Sequence, residues 1–258
     1  MTSFEQEASE RIAGFVENQV LLESAATFMK ATIPYKYSYN WFWQGRPIIQ
    51  YPQDIVAMQE LIWLVKPDLI IETGIAHGGS LIMSASMLAL LDIKDSFETG
   101  ALFDPKVSKR KVLGVDIDIR PHNRVAIEEH YLASHIQMLE GSSIAPDIIK
   151  KVKQIALEYK RVLIVLDSNH THEHVMAELD AYAPLVTEGS YCVVFDTIIE
   201  DLPAEMFPDR PWEPGDNPKT AVWAFLKNHP EFEIDKTIEH KLLVTVAPNG
   251  YLRRLPSK

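Results

Sequence analysis

From residue 54 onward the sequence alternates between short, continuous runs of Val, Ile and Leu and longer stretches with helical spacing. Runs at 68–72, 112–117, 136–139, 162–166, 191–195 and 242–246 read as strands. The stretches near 54–65, 79–92, 122–132, 145–159, 172–182 and 218–228 read as helices. A strand apolar along its whole length is buried on both faces, which points to a parallel sheet covered by helices on both sides. Near the end, Ala247-Pro248-Asn249-Gly250 is a turn signal between two apolar runs and predicts an antiparallel last strand over 251–255. The expected fold is a doubly wound α/β domain with a mostly parallel sheet over 53–258, preceded by an extension over 1–52.

That extension reads as helix through its first 32 residues, with Ile12, Phe15, Val16, Val20, Leu21 and Phe28 near helical spacing. Tyr35 to Tyr51 is irregular and aromatic, with Tyr37, Tyr39, Trp41, Phe42 and Trp43 punctuated by Pro34, Pro47 and Pro52. Such a stretch suits a lid, a substrate-facing wall around Tyr39–Trp43, a subunit contact or a segment folded flat over the core. The chain has 258 residues and a net charge of -11, which disfavours binding to a phosphate backbone. The single cysteine, Cys192, excludes an internal disulfide and a cysteine-rich metal site, and its apolar run makes it a buried small hydrophobe. No apolar run reaches the roughly 20 residues a membrane helix needs, and the start lacks a secretory pattern, so a cytoplasmic protein is expected.

In open α/β sheets, ligands bind beyond the carboxyl ends of the strands. The first long strand ends in Glu72-Thr73-Gly74-Ile75-Ala76-His77-Gly78-Gly79-Ser80, an acid opening a glycine-rich turn into a helix. Glycines there let backbone approach a ligand closely, with helix N–H groups aimed at it. The spacing matches neither the dinucleotide fingerprint nor the lysine-containing phosphate loop. The next strand ends in Asp116, a carboxylate able to accept both hydroxyls of a ribose. Together they suit S-adenosylmethionine, a nucleoside cofactor without phosphates; a purely structural turn is the other reading.

Asp167 and Asp196 end two adjacent expected strands, and paired hard oxygens of this kind suit Mg²⁺. His170, three residues after Asp167, lies within reach to act as general base. The alternative readings are Asp167 as cap of the following helix and His170, His172 and His174 as a different metal set.

The sequence resembles the cephalosporin hydroxylase or rhamnosyl O-methyltransferase family over nearly its whole length. The carrying segments are Trp43-Gln44-Gly45-Arg46-Pro47-Ile48-Ile49-Gln50, the 72–80 turn, Asp167-Ser168-Asn169-His170-Thr171-His172-Glu173-His174, Phe195-Asp196-Thr197, Asn217-Pro218 with Ala221-Val222, and Pro248-Asn249-Gly250-Tyr251-Leu252. The resemblance implies a Rossmann-like S-adenosylmethionine-binding methyltransferase fold and Mg²⁺-dependent O-methylation of a small-molecule hydroxyl, as on sugars or catechols. It implies cofactor contacts from Glu72, Gly74, Gly78, Ser80, Asp116, Ser142 and Ser143, metal binding by Asp167 and Asp196, and His170 as base. It also implies a homo-oligomer. Where relatives of this fold end the fifth strand in two acids, this chain has Phe195 and then Asp196, which leaves the site one carboxylate short, with Glu200 or Asp201 placed to reach back as a third ligand. A cofactor-binding partner protein without transfer activity, and a metal-dependent hydroxylase, are the other function classes.

Overall fold

The computed structural model describes residues 2–104 and 106–257. The N-terminal helical stretch is two helices, α1 (Ser3–Glu17) and α2 (Gln19–Thr32), separated at Asn18. Asn18 ends the first helix in an extended conformation and caps the second, its side chain accepting from Leu21 N. The aromatic stretch then forms a small hairpin, β1 (Trp41–Trp43) with β2 (Arg46–Ile48), turning at Gln44-Gly45, both at positive φ. Helix α3 (Pro52–Val65) leads into the main sheet.

The sheet is built from β3 (Leu69–Thr73), β4 (Lys111–Asp116), β5 (Ile136–Glu140), β6 (Val162–Leu166) and β7 (Tyr191–Val194), all parallel. Two short strands, β8 (Phe232–Ile234) and β9 (Tyr251–Arg254), complete it in the order β5-β4-β3-β6-β7-β9-β8. The order reverses between β3 and β6, the switch point at which such sheets bind ligands. Helices α4 (Gly79–Thr99), α5 (Pro121–Glu128), α6 (Pro146–Ala156), α7 (His172–Tyr182), α8 (Pro218–Leu226) and α9 (Lys236–Leu242) make the crossovers and flanks.

Alternate residues of each strand enter different cores, as the pleat requires. Ile70, Val112, Leu163 and Val193 pack with α3, α4 and the extension, which contributes Met29, Ile48 and Tyr51. Leu69, Ile71, Leu113, Ile164 and Cys192 pack with α6, α7 and α8. Cys192 is fully buried, and burial pushes its thiol upward, out of reach of physiological ionisation.

One sequence expectation fails near the C-terminus. Residues 242–246 are not a strand: α9 ends there, Leu243 adopts φ 60°, and the following backbone is captured by Asp54. The fully buried Asp54 carboxylate accepts from Thr245 Oγ1 (2.5 Å), Val246 N (3.0 Å) and Tyr251 Oη (2.9 Å). That side chain withdraws the segment from any ladder, and burial raises Asp54 to about 6. The expected antiparallel last strand does form: β9 lies between β7 and β8, antiparallel to both, and does not pair with 242–246.

Candidate functional site

At the carboxyl end of β3, the turn into α4 is held by three separate parts of the chain. Gly74 has φ 91° and sits so close to β6 that a Cβ would lie 2.0 Å from the Asp167 carbonyl oxygen. Only glycine meets both demands. Asp116, at the end of β4, accepts from Ile75 N (2.7 Å) and Ala76 N (3.2 Å) through Oδ2 and from Asp118 N (3.1 Å) through Oδ1. Arg46 from β2 donates to the His77 carbonyl (2.6 and 3.0 Å) and to Asn123 Oδ1 (2.8 Å), while Asn123 Nδ2 donates to the Ala76 carbonyl (2.8 Å). The turn is thus rigid before any ligand arrives.

Glu72 and Ser80 face each other across this turn, the serine hydroxyl donating to Glu72 Oε1. Glu72 is 2% exposed, and burial raises its carboxyl to about 7. Gly78 lies against Ile127 and Gly79 against the Pro47 carbonyl, where a Cβ would come within 2.4 and 2.2 Å respectively. Gly141 N donates to the Asp116 carbonyl (2.8 Å), which brings Ser142 and Ser143 beside the end of β4. Ser142 is half-buried; the Ser143 hydroxyl meets His174 Nε2 at 3.0 Å.

On the other side of the switch point, Asp167, His170 and Asp196 each offer a ligand atom, and the three atoms lie within 4.8 Å of one another. His170 Nε2 is 3.2 Å from Asp196 Oδ2. Burial, and then the neighbouring carboxylates of Asp196 and Glu72, push the Asp167 carboxyl well above the usual range. Such a cluster of acids gains from a bound cation. Asp167 does not cap α7, whose N-cap is Thr171.

The alternative histidine set does not converge. His172 Nδ1 meets Thr220 Oγ1 (2.8 Å), and His174 meets Ser143 and Ser168 (3.2 Å) under the sheet end. Nor do the expected third ligands reach the cluster. Glu200 Oε2 accepts from Gly215 N (2.8 Å) and Asn217 Nδ2 (2.5 Å), and Asp201 pairs with Lys219 Nζ (2.5 Å). Phe195 is buried in the core, and the side chain that stands beside the two acids is His170.

The aromatic stretch is divided. Tyr37 packs against Phe28, Trp41 and Tyr51, and Trp43 Nε1 donates to Ser86 Oγ (3.1 Å); Tyr39 and Phe42 are exposed. The aromatic ring at the cluster comes from elsewhere: Trp212 stands perpendicular to His170 with centroids 4.7 Å apart, and the Arg210 guanidinium lies 5.2 Å from its centroid. Sequence reading missed Arg46, Asn123 and Trp212. Arg46 lies in a quoted segment, but nothing in the spacing signals its partner; Trp212 carries no motif.

The profile of the family described as Rhamnosyl O-methyltransferase/CmcI matches residues 35–255. The chain is 29% identical over 215 residues to the rhamnosyl O-methyltransferase of Mycobacterium leprae (strain TN), covering 82% of each chain. It is 30% identical over 203 residues to the enzyme of that name from Mycobacterium tuberculosis (strain ATCC 25618 / H37Rv), covering 78% of this chain and 73% of the relative. Among solved structures, CmcI with Mg and SAM superposes with a TM-score of 0.54 at 17% identity, covering 84% of this chain and 78% of that one. CmcI with SAH gives 0.53 at 16%, covering 84% and 83%. These two likenesses establish a shared Rossmann-like α/β fold. The extent of the profile match and the identity to the mycobacterial enzymes together establish that this chain belongs to the rhamnosyl O-methyltransferase/CmcI family.

Proposed function

We propose that this protein transfers a methyl group from S-adenosylmethionine to a hydroxyl of a small molecule, with Mg²⁺ at the reaction centre. The observation that carries the reading is the junction at Gly74, where the glycine turn abuts Asp167 and so lies directly beside the Asp167–His170–Asp196 cluster. The residues fit both groups. Glu72 is a buried carboxylate whose one hydrogen-bonding neighbour among the described residues is a serine, suited to an ammonium; the paired acids are the hard oxygens Mg²⁺ selects. Imidazole is a poor Mg²⁺ ligand, which leaves His170 free for proton transfer.

When bound, S-adenosylmethionine supplies the electrophilic methyl and Mg²⁺ lowers the pKa of the acceptor oxygen. The chain's own part is positional and basic. Asp167 and Asp196 hold the metal, and Asp116 keeps the turn braced while standing at the ribose end. Gly74 and Gly78 shape the turn, with Glu72 and Ser80 at its methionine end and Ser142 and Ser143 bordering the base. His170, its Nε2 3.2 Å from Asp196 Oδ2, is the imidazole at the cluster suited to take the acceptor's hydroxyl proton as general base. Trp212 forms a wall against which a sugar ring packs. The curated relatives are named for rhamnosyl O-methylation, which supports a sugar-bearing acceptor.

In this reading residues 1–52 are a cover for the cleft, and the protein is a cytoplasmic homo-oligomer, a role for which exposed Tyr39 and Phe42 offer a contact surface. Among the described residues no helix is long and apolar enough to cross a membrane. Calorimetric titration with S-adenosylhomocysteine, with Mg²⁺ and after chelation, tests the cofactor; labelled methyl transfer to rhamnosides and catechols tests the activity. Micromolar binding and Mg²⁺-stimulated transfer are expected. Binding without transfer to any hydroxyl acceptor would leave a cofactor-binding partner protein instead.

A further inference from the structure

Gln50 has no role in the reading above, yet the fold places it at the centre of the site. It follows β2 on the segment that crosses the start of α4, where Gly79 allows the Pro47 carbonyl to lie against the helix. Its side chain is therefore driven inward, and the residue is only 7% exposed. Nε2 donates to Asp167 Oδ2 at 3.2 Å. Oε1 is buried and has no hydrogen-bond partner among the described residues. A buried acceptor without a donor is costly, and such groups in native proteins call for an explanation.

Two small cavities meet at this side chain. The outer one lies along the glycine turn, lined by Gly74, Ile75 and His77; the inner one reaches Asp54, Glu72 and Phe195. Gln50, Ser80 and Asp167 line both. Neither lining includes a lysine or arginine, so carboxylates and an amide oxygen converge on a space with no resident cation. That chemistry selects a compact, multiply donating cation. An ammonium has three donors, and Glu72 with Gln50 Oε1 supplies acceptors for them.

We propose that Gln50 is a positioning residue that accepts a hydrogen bond from the α-ammonium of the cofactor through Oε1 while its Nε2 holds Asp167. One amide thereby ties the methionine end of the cofactor to a carboxylate of the metal cluster. The proposal rests on the S-adenosylmethionine reading and deepens it. It assigns the hairpin-to-α3 segment a contact with the ligand, where the 72–80 turn has so far been the only source of such contacts at that end.

The test is a ratio of affinities measured by calorimetry: S-adenosylhomocysteine against its analogue lacking the α-amino group. Gln50→Met keeps the length and removes both hydrogen-bonding atoms. It is expected to reduce the wild-type preference for the amino-bearing ligand at least fivefold, with affinity for the deamino analogue changed less than twofold. An unchanged preference, or an equal loss for both ligands, overturns the proposal. Gln50→Glu retains an acceptor at the same place and should keep the preference, which also covers a failure of the Met variant to fold; a collapse of preference in Gln50→Glu likewise overturns it. If the wild-type protein binds neither ligand, the cofactor reading itself fails and this inference fails with it. Wild-type preference that survives Gln50→Met removes Gln50 alone.

Discussion

The two sides of the switch point are built by different means. The turn at 72–80 is held by backbone: Asp116 binds its amides, Arg46 and Asn123 bind its carbonyls, and Gly74 and Gly79 pass against other main chain. The Asp167–His170–Asp196 cluster is held by side chains from two strand ends and contains like charges that repel one another. One side is a preformed mould; the other waits for a cation. Binding and chemistry should therefore fail separately under mutation, except where the two sides touch.

They touch at Gly74, and the largest effect is expected there. Gly74→Ala places a Cβ 2.0 Å from a backbone oxygen at φ 91°, and a backbone oxygen cannot swing aside. A loss of roughly 4–5 kcal/mol of stability is expected, seen as a collapsed or absent thermal transition. A melting temperature within a few degrees of wild type would show that the sides are not rigidly joined.

His170→Ala separates them. Turnover should fall by roughly 10²–10³-fold, as for loss of a general base, while affinity for S-adenosylhomocysteine stays within about twofold. Equal losses in turnover and affinity would erase the distinction between mould and cluster.

Glu72 sharpens the comparison through pH. Its carboxyl stands near 7 in the free protein because burial disfavours the charged form, but an ammonium ligand requires that charge. Binding therefore releases a proton. Affinity should fall about tenfold for each pH unit below 7 and level off above it. Titration in buffers of different ionisation enthalpy measures the proton release, and Glu72→Gln should abolish the slope.

The smallest effect is expected at Trp212. Trp212→Ala should raise the acceptor KM by roughly 3- to 10-fold with little change in kcat or cofactor affinity, the scale of one lost aromatic contact. A change confined to kcat would instead make the ring a brace for His170.

Local pattern made much of this legible. The five parallel strands were readable because strands buried on both faces must be apolar throughout, and the 72–80 turn because its chemistry is contiguous. Residues 242–246 misled for the same reason: an apolar run looks like a strand until a distant acid, Asp54, takes the Thr245 hydroxyl and the Val246 N–H. Glu200 and Asp201, the acids that follow Asp196, do not join the cluster because Gly215 and Asn217 ahead of α8 and Lys219 in its first turn bind them. Competition for partners across the fold is invisible in spacing.

The sequence by itself determined the fold class and the glycine turn, and it singled out Asp167, His170 and Asp196, which the fold brings together, because periodicity and strand-end motifs are properties of the chain alone. Tertiary structure alone decided that Arg46 locks the turn, that Gln50 lies between two cavities, and that Trp212 stands over His170. Each of those contacts joins residues more than thirty positions apart, and what brings them together is packing, which no local pattern encodes.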